Sequence, residues 1–158
     1  MSTDGTTTDG TTPDARVAAL RSLDRLVGTW TVSNPDGLTG EVRYAWMDGG
    51  NWLVQTVDLR GTDEPTRGVE YVGWDADAGA LRSHFFGAGG EHLEYTYRIE
   101  GDLLTIWFGD PDSPARFEGR FSADDTVNDG AWQWPGGGYA STMTRVHDDP
   151  ASTVARTA

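Results

Sequence analysis

Glu70, Arg82 and His84 fall on two successive runs, Val69-Glu-Tyr-Val-Gly-Trp74 and Leu81-Arg-Ser-His-Phe-Phe86, joined by the short turn Asp75-Ala-Asp-Ala-Gly79. An imidazole titrates near neutrality, so His84 can take or give a proton, and a carboxylate such as Glu70 can hold its ring in one tautomer. The Arg82 guanidinium would position an anionic or carbonyl group. Together in an enclosed space, these residues would suit a cofactor-independent cyclase, isomerase or hydratase. The pattern allows two registers. One buries Leu81, Ser83 and Phe85; the other buries Arg82, His84 and Phe86, and the Val69–Trp74 run has the same ambiguity. Only a one-residue shift of the hairpin brings Glu70, Trp74, Arg82 and His84 to one face. Taking an Arg, a Glu and a His out of water demands several satisfied hydrogen bonds. The simpler expectation is that the cluster faces outward and the protein binds rather than catalyses.

Other reactive groupings are scarce. His92 sits beside a Gly-rich loop and His147 follows the last apolar run, so both read as solvated. No two histidines have the spacing of familiar metal motifs, and there is no cysteine, so neither a metal nor a cofactor is expected. There is no Gly-x-Ser-x-Gly nucleophile elbow, and Gly136–Gly138 lacks the Lys-Ser/Thr of a phosphate loop, reading instead as a turn after Pro135.

The stronger signal is aromatic. Seven Trp and five Tyr exceed what filling a small core requires, and buried indole N–H and phenol O–H groups must find partners. From Gly28 onward the apolar period is 2, with turn clusters every eight to twelve residues, which argues for short antiparallel strands. About ten strands are expected. A meander without crossover helices closes most simply as an up-and-down antiparallel β-barrel, which removes exposed edges. Strand parity then turns Tyr44, Trp46, Tyr95, Tyr97, Phe108, Phe117, Trp132, Trp134, Tyr139 and Met143 inward. Such a lining suits a small hydrophobic molecule, aromatic by preference. The set Glu41/Arg43, Glu94/Thr96/Arg98 and Arg116/Glu118/Arg120 would form the outer face. Trp52-Leu-Val-Gln-Thr-Val-Asp-Leu59 looks apolar on both faces, which predicts cover by a helix or by a second copy in a homodimer.

Ahead of the strands, Thr12, Pro13 and Asp14 form a helix-start signal, and Val17, Leu20, Leu23 and Leu26/Val27 recur at helical spacing. One amphipathic helix is expected across an end of the barrel. Residues 1–12 and 148–158 are too poor in apolar side chains to offset the entropy of ordering, so one domain is expected over 13–147. The formal charge of −13, with no lysine, argues against nucleic acid and anionic membranes. A cysteine-free chain with no apolar run of membrane-spanning length and no leader pattern reads as cytoplasmic.

Two residues frame the strand region. Gly28 can turn the chain sharply from helix into strand, Trp30 can plug one end of a barrel, and Arg145 on the last strand can lay its guanidinium over that indole. This Gly-x-Trp answered by a late Arg resembles the closure signature of lipocalin-like (calycin) β-barrels. Leu26–Trp30, Trp46–Gly50 and Gly73–Asp75 are similar to the L-x-G-x-W, W-x-x-G-G and G-x-W-D runs of uncharacterised bacterial lipocalin-like domains. The resemblance spans about Leu20 to Val146 and implies a ligand-holding barrel. It also raises a lesser alternative: nitrobindin-type barrels bind haem through a histidine near the carboxyl end, where His147 stands, although that family's early Pro-Thr-Ile stretch is missing here.

Overall fold

The computed structural model describes residues 15–146. The expectations for residues 1–12, for Thr12, Pro13 and Asp14, for His147 and for 148–158 lie outside the described residues.

Residues 15–22 form a helix (α1) that tightens into a 3-10 turn at Leu23–Leu26. Leu20, Leu23 and Leu26 are buried, as their spacing predicts, but Val17 is 50% exposed. Ten strands follow: β1 (Gly28–Ser33), β2 (Thr39–Trp46), β3 (Trp52–Arg60), β4 (Thr66–Asp75), β5 (Ala80–Gly87), β6 (His92–Glu100), β7 (Leu103–Phe108), β8 (Arg116–Phe121), β9 (Val127–Trp134) and β10 (Gly137–Arg145). Each pairs antiparallel with the next, and β1 pairs with β10, so the sheet is a closed barrel with no free edge. Among the described residues no helix is long and apolar enough to cross a membrane.

β9 begins in a stretch that lacks an apolar pattern. Asn128, Asp129 and Gly130 are turn-type residues, yet they pair with Phe121, Arg120 and Gly119. Here the glycine serves a close approach: a Cβ on Gly130 would stand 2.5 Å from the Glu118 carbonyl oxygen and 2.5 Å from the Phe117 ring. β3 also departs from expectation. Leu53, Gln55 and Val57 point inward, whereas the outer set is Trp52, Val54, Thr56 and Asp58, with the Trp52 ring lying over Gly73. The outer face is therefore apolar only at its Trp52–Val54 end, and Trp52 remains 39% exposed.

One end of the barrel is sealed. Gly28 adopts φ +129°, a backbone conformation that side-chain-bearing residues rarely adopt, and so delivers Trp30 into the interior with no exposure. The Trp30 Nε1–H donates to Leu26 O at 2.8 Å, and the Arg145 guanidinium lies 4.2 Å above the indole. Trp30 and Arg145 are register partners across β1 and β10. Arg145 also donates to the carbonyls of Val27, Arg25 and Asp125, tying the 3-10 turn to the barrel. Arg25 reaches Asp125 at 2.6 Å and Asp102 at 3.1 Å, and Arg21 donates to Gly50 O at 3.1 Å. Three of the four strand-joining turns at this end are thereby fastened beneath the helix.

Candidate functional site

The opposite end of the barrel, bounded by the β3–β4, β5–β6, β7–β8 and β9–β10 connections, opens into a cavity of about 440 Å³. That volume lies in the usual range of small-molecule sites, about 300–1,000 Å³. Nine of the residues that parity turned inward line it: Tyr44, Tyr95, Tyr97, Phe108, Phe117, Trp132, Trp134, Tyr139 and Met143. One wall is a run of tilted and edge-on rings. Phe117 meets Trp132 at 5.5 Å between centroids, Trp132 meets Tyr95 at 5.9 Å, and Tyr95 meets Phe108 at 5.7 Å. Phe108, Trp134 and Tyr139 stay 40–47% exposed. They stand at the mouth.

Trp46 does not belong to this lining. It lies one inward step beyond Tyr44 toward the sealed end, where its indole N–H donates to Asp24 Oδ1 at 2.7 Å and the Arg21 guanidinium covers its ring at 4.6 Å. Its role is to hold the helix.

Deep in the cavity is a polar group that sequence reasoning placed with the wrong partners. β4 and β5 pair Glu70 with Phe85 and Tyr71 with His84. Register partners share a face, so Glu70 points in while His84 and Arg82 point out. The expected Glu70–Arg82–His84 cluster is therefore divided by the barrel wall. Arg82 instead reaches Asp110 at 2.6 Å, Thr96 at 3.2 Å and Glu94 at 3.4 Å, and His84 faces His92 and Glu94.

Glu70 is only 4% exposed. Its Oε2 accepts the Ser83 hydroxyl at 2.5 Å and its Oε1 accepts the Tyr97 hydroxyl at 2.7 Å. Tyr97 is in turn hydrogen-bonded to Tyr44, whose oxygen accepts Gln55 Nε2–H at 2.9 Å. The result is a connected polar chain, Gln55–Tyr44–Tyr97–Glu70–Ser83, set into a largely apolar chamber. No salt bridge reaches Glu70 among the described residues. Burial pushes the Glu70 carboxyl above its usual range, against the lowering effect of the Ser83 and Tyr97 hydrogen bonds. Burial, reinforced by the nearby Glu70 charge, also raises the Tyr44 and Tyr97 phenols and pushes Tyr95 up to about 12. These phenols stay protonated donors through neutrality. Gln55 was absent from the predicted lining, although it alternates correctly with Leu53 and Val57, whereas Ser83 is inward with Leu81 and Phe85 as in one of the two registers the pattern allows.

This arrangement can seat a flat apolar body against the ring wall and offer a hydrogen-bonding carboxyl and phenol to its polar end. No histidine lines the cavity among the described residues. The chain matches no protein-family model and no curated protein, so the site stands on its own geometry.

Proposed function

We propose that the chain is a lipocalin-like barrel that binds one small, largely apolar molecule, aromatic by preference, whose polar group meets Glu70 and Tyr97. The observation that carries this reading is the inward-facing Glu70 carboxyl, which has no cationic partner among the described residues, in a chamber walled by aromatic rings. Burying an ionisable group costs stability unless it is neutralised or fully paired, so folding alone is poorly served by a carboxyl here. A ligand that donates to Glu70, or accepts from its protonated form, completes the pairing. The Gly28-x-Trp30 and Arg145 closure supports the lipocalin-like assignment, and the cysteine-free composition supports a cytoplasmic place for such a binder.

A second reading is favoured by one feature. A carboxyl whose pKa burial raises, set beside a phenol, is the equipment of a general acid, so the same cavity would serve an isomerase, cyclase or hydratase with Glu70 in the role first considered for His84. Native mass spectrometry of the protein taken directly from its producing cell tests both readings. Binding predicts one intact small molecule per chain that is released unchanged on denaturation. Catalysis predicts a mixture of two isomeric or hydration-related species, and a bare chain in every preparation contradicts both.

A further inference from the structure

We propose that His84, His92 and Glu94 form a binding site for a divalent first-row transition ion of the zinc type, on the outer wall of the barrel beside its open mouth. The two histidines are eight residues apart, a spacing that matches no short ligand motif, but the hairpin of β5 and β6 folds them together. His84 pairs with Glu94 and Phe86 with His92, so all three candidate ligands share the outer face on adjacent strands. His84 Nδ1 stands 3.3 Å from His92 Nε2 and 3.7 Å from Glu94 Oε2, and the three atoms lie within 4.8 Å of one another. Ligands about 2.0–2.1 Å from a tetrahedral zinc stand about 3.3 Å apart, so modest side-chain rotation closes the set.

The surroundings hold the ligands in place. Phe86 stacks on the His92 ring at 4.9 Å with an interplanar angle of 3°. Arg82 takes the other carboxylate oxygen of Glu94 at 3.4 Å, leaving Oε2 for a metal, while Asp110 at 2.6 Å offsets the Arg82 charge. Supporting contacts of this kind fix ligand orientation at metal sites. Two imidazoles with one carboxylate suit Zn²⁺, Ni²⁺ or Cu²⁺ rather than Mg²⁺ or Ca²⁺, and the net charge of −13 favours cations in general. Three protein ligands leave the remaining coordination to water. Glu91 and Leu93 lie on the cavity side of the same segment, so an ion here would pin one side of the mouth.

Isothermal titration of the untagged full chain with zinc chloride at pH 7.5 tests the site. One saturable equivalent is expected, weakened at least about tenfold in His92→Ala and in Glu94→Gln, reduced to background in His84→Ala, and unchanged in His147→Ala. Should a variant unfold, nickel chloride added to the wild-type chain gives an independent reading, because its paramagnetism should broaden the His84 and His92 ring proton resonances first. Absence of saturable zinc binding, zinc binding indifferent to all three substitutions, or nickel broadening centred elsewhere overturns the proposal.

Discussion

Replacing Trp30 with alanine is expected to remove about 3–5 kcal/mol of stability, the usual cost of deleting a fully buried large aromatic. The indole has no exposure, packs against Phe121 at 6.4 Å between ring centroids, carries the Arg145 guanidinium over its ring and ties its N–H to Leu26 O. Domains of this size have only about 5–15 kcal/mol in total, so the variant should sit close to unfolding. Arg145→Ala should cost less, about 1–3 kcal/mol, because it strands the carbonyls of Val27, Arg25 and Asp125 rather than emptying the core. The two losses should not add. A coupling above about 0.5 kcal/mol in a urea-denaturation double-mutant cycle is expected for groups in direct contact. Strict additivity would show that Trp30 and Arg145 do not act together and that the seal is built otherwise.

Glu70→Gln is expected to make the protein more stable at pH 8 and less able to hold its ligand. The folded carboxyl binds its proton more tightly than the same group in the unfolded chain, because burial raises its pKa. Between the unfolded value, about 4.3, and the raised folded value, the native state therefore holds more protons than the unfolded state. Stability falls as pH rises through that window and levels off above it. Glutamine is nearly isosteric and cannot ionise, so the variant lacks this decline. The gain should be on the order of 1–3 kcal/mol at pH 8, the scale of an unmet desolvation cost, and should vanish near pH 4. Urea denaturation of both proteins at the two pH values measures it, and contributions from the other carboxylates cancel in the difference. A variant less stable than its parent at pH 8 would mean that the ionised Glu70 anchors the fold, and the functional reading of its burial would fail.

Much of the barrel can be read from period-2 alternation, since inward Val42 and Tyr44, Leu104 and Ile106, and Phe117 and Phe121 repeat the same parity on strand after strand. The aromatic lining follows from the same rule. Trp46 escaped it because parity names a face and not a height along the barrel. The division of Glu70 from His84 escaped for a different reason. Both faces of β4 and β5 mix polar and apolar residues, so the pattern leaves the register open and the turn decides it. Asp75 Oδ1 accepts the N–H groups of Asp77 and Ala78 at 2.9 and 3.1 Å, and Gly79 N–H returns to Asp75 O at 2.8 Å. This turn pairs Asp75 with Ala80 and thereby sets Glu70 opposite Phe85. The meeting of His84, His92 and Glu94 depends on cross-strand register and so shows no linear motif.

The most direct test of the cavity as a ligand site is a titration with an uncharged aromatic fluorophore, N-phenyl-1-naphthylamine, into the wild-type chain and into Val57→Trp. Val57 lines the cavity from β3 and is only partly buried, so an indole there occupies ligand space without displacing the sealed core around Trp30. Saturable binding of one probe per wild-type chain with enhanced emission, lost in Val57→Trp while its urea-unfolding midpoint stays close to the parent's, is the predicted result. Absence of saturable binding, or equal binding by both proteins, would contradict a ligand site inside the barrel.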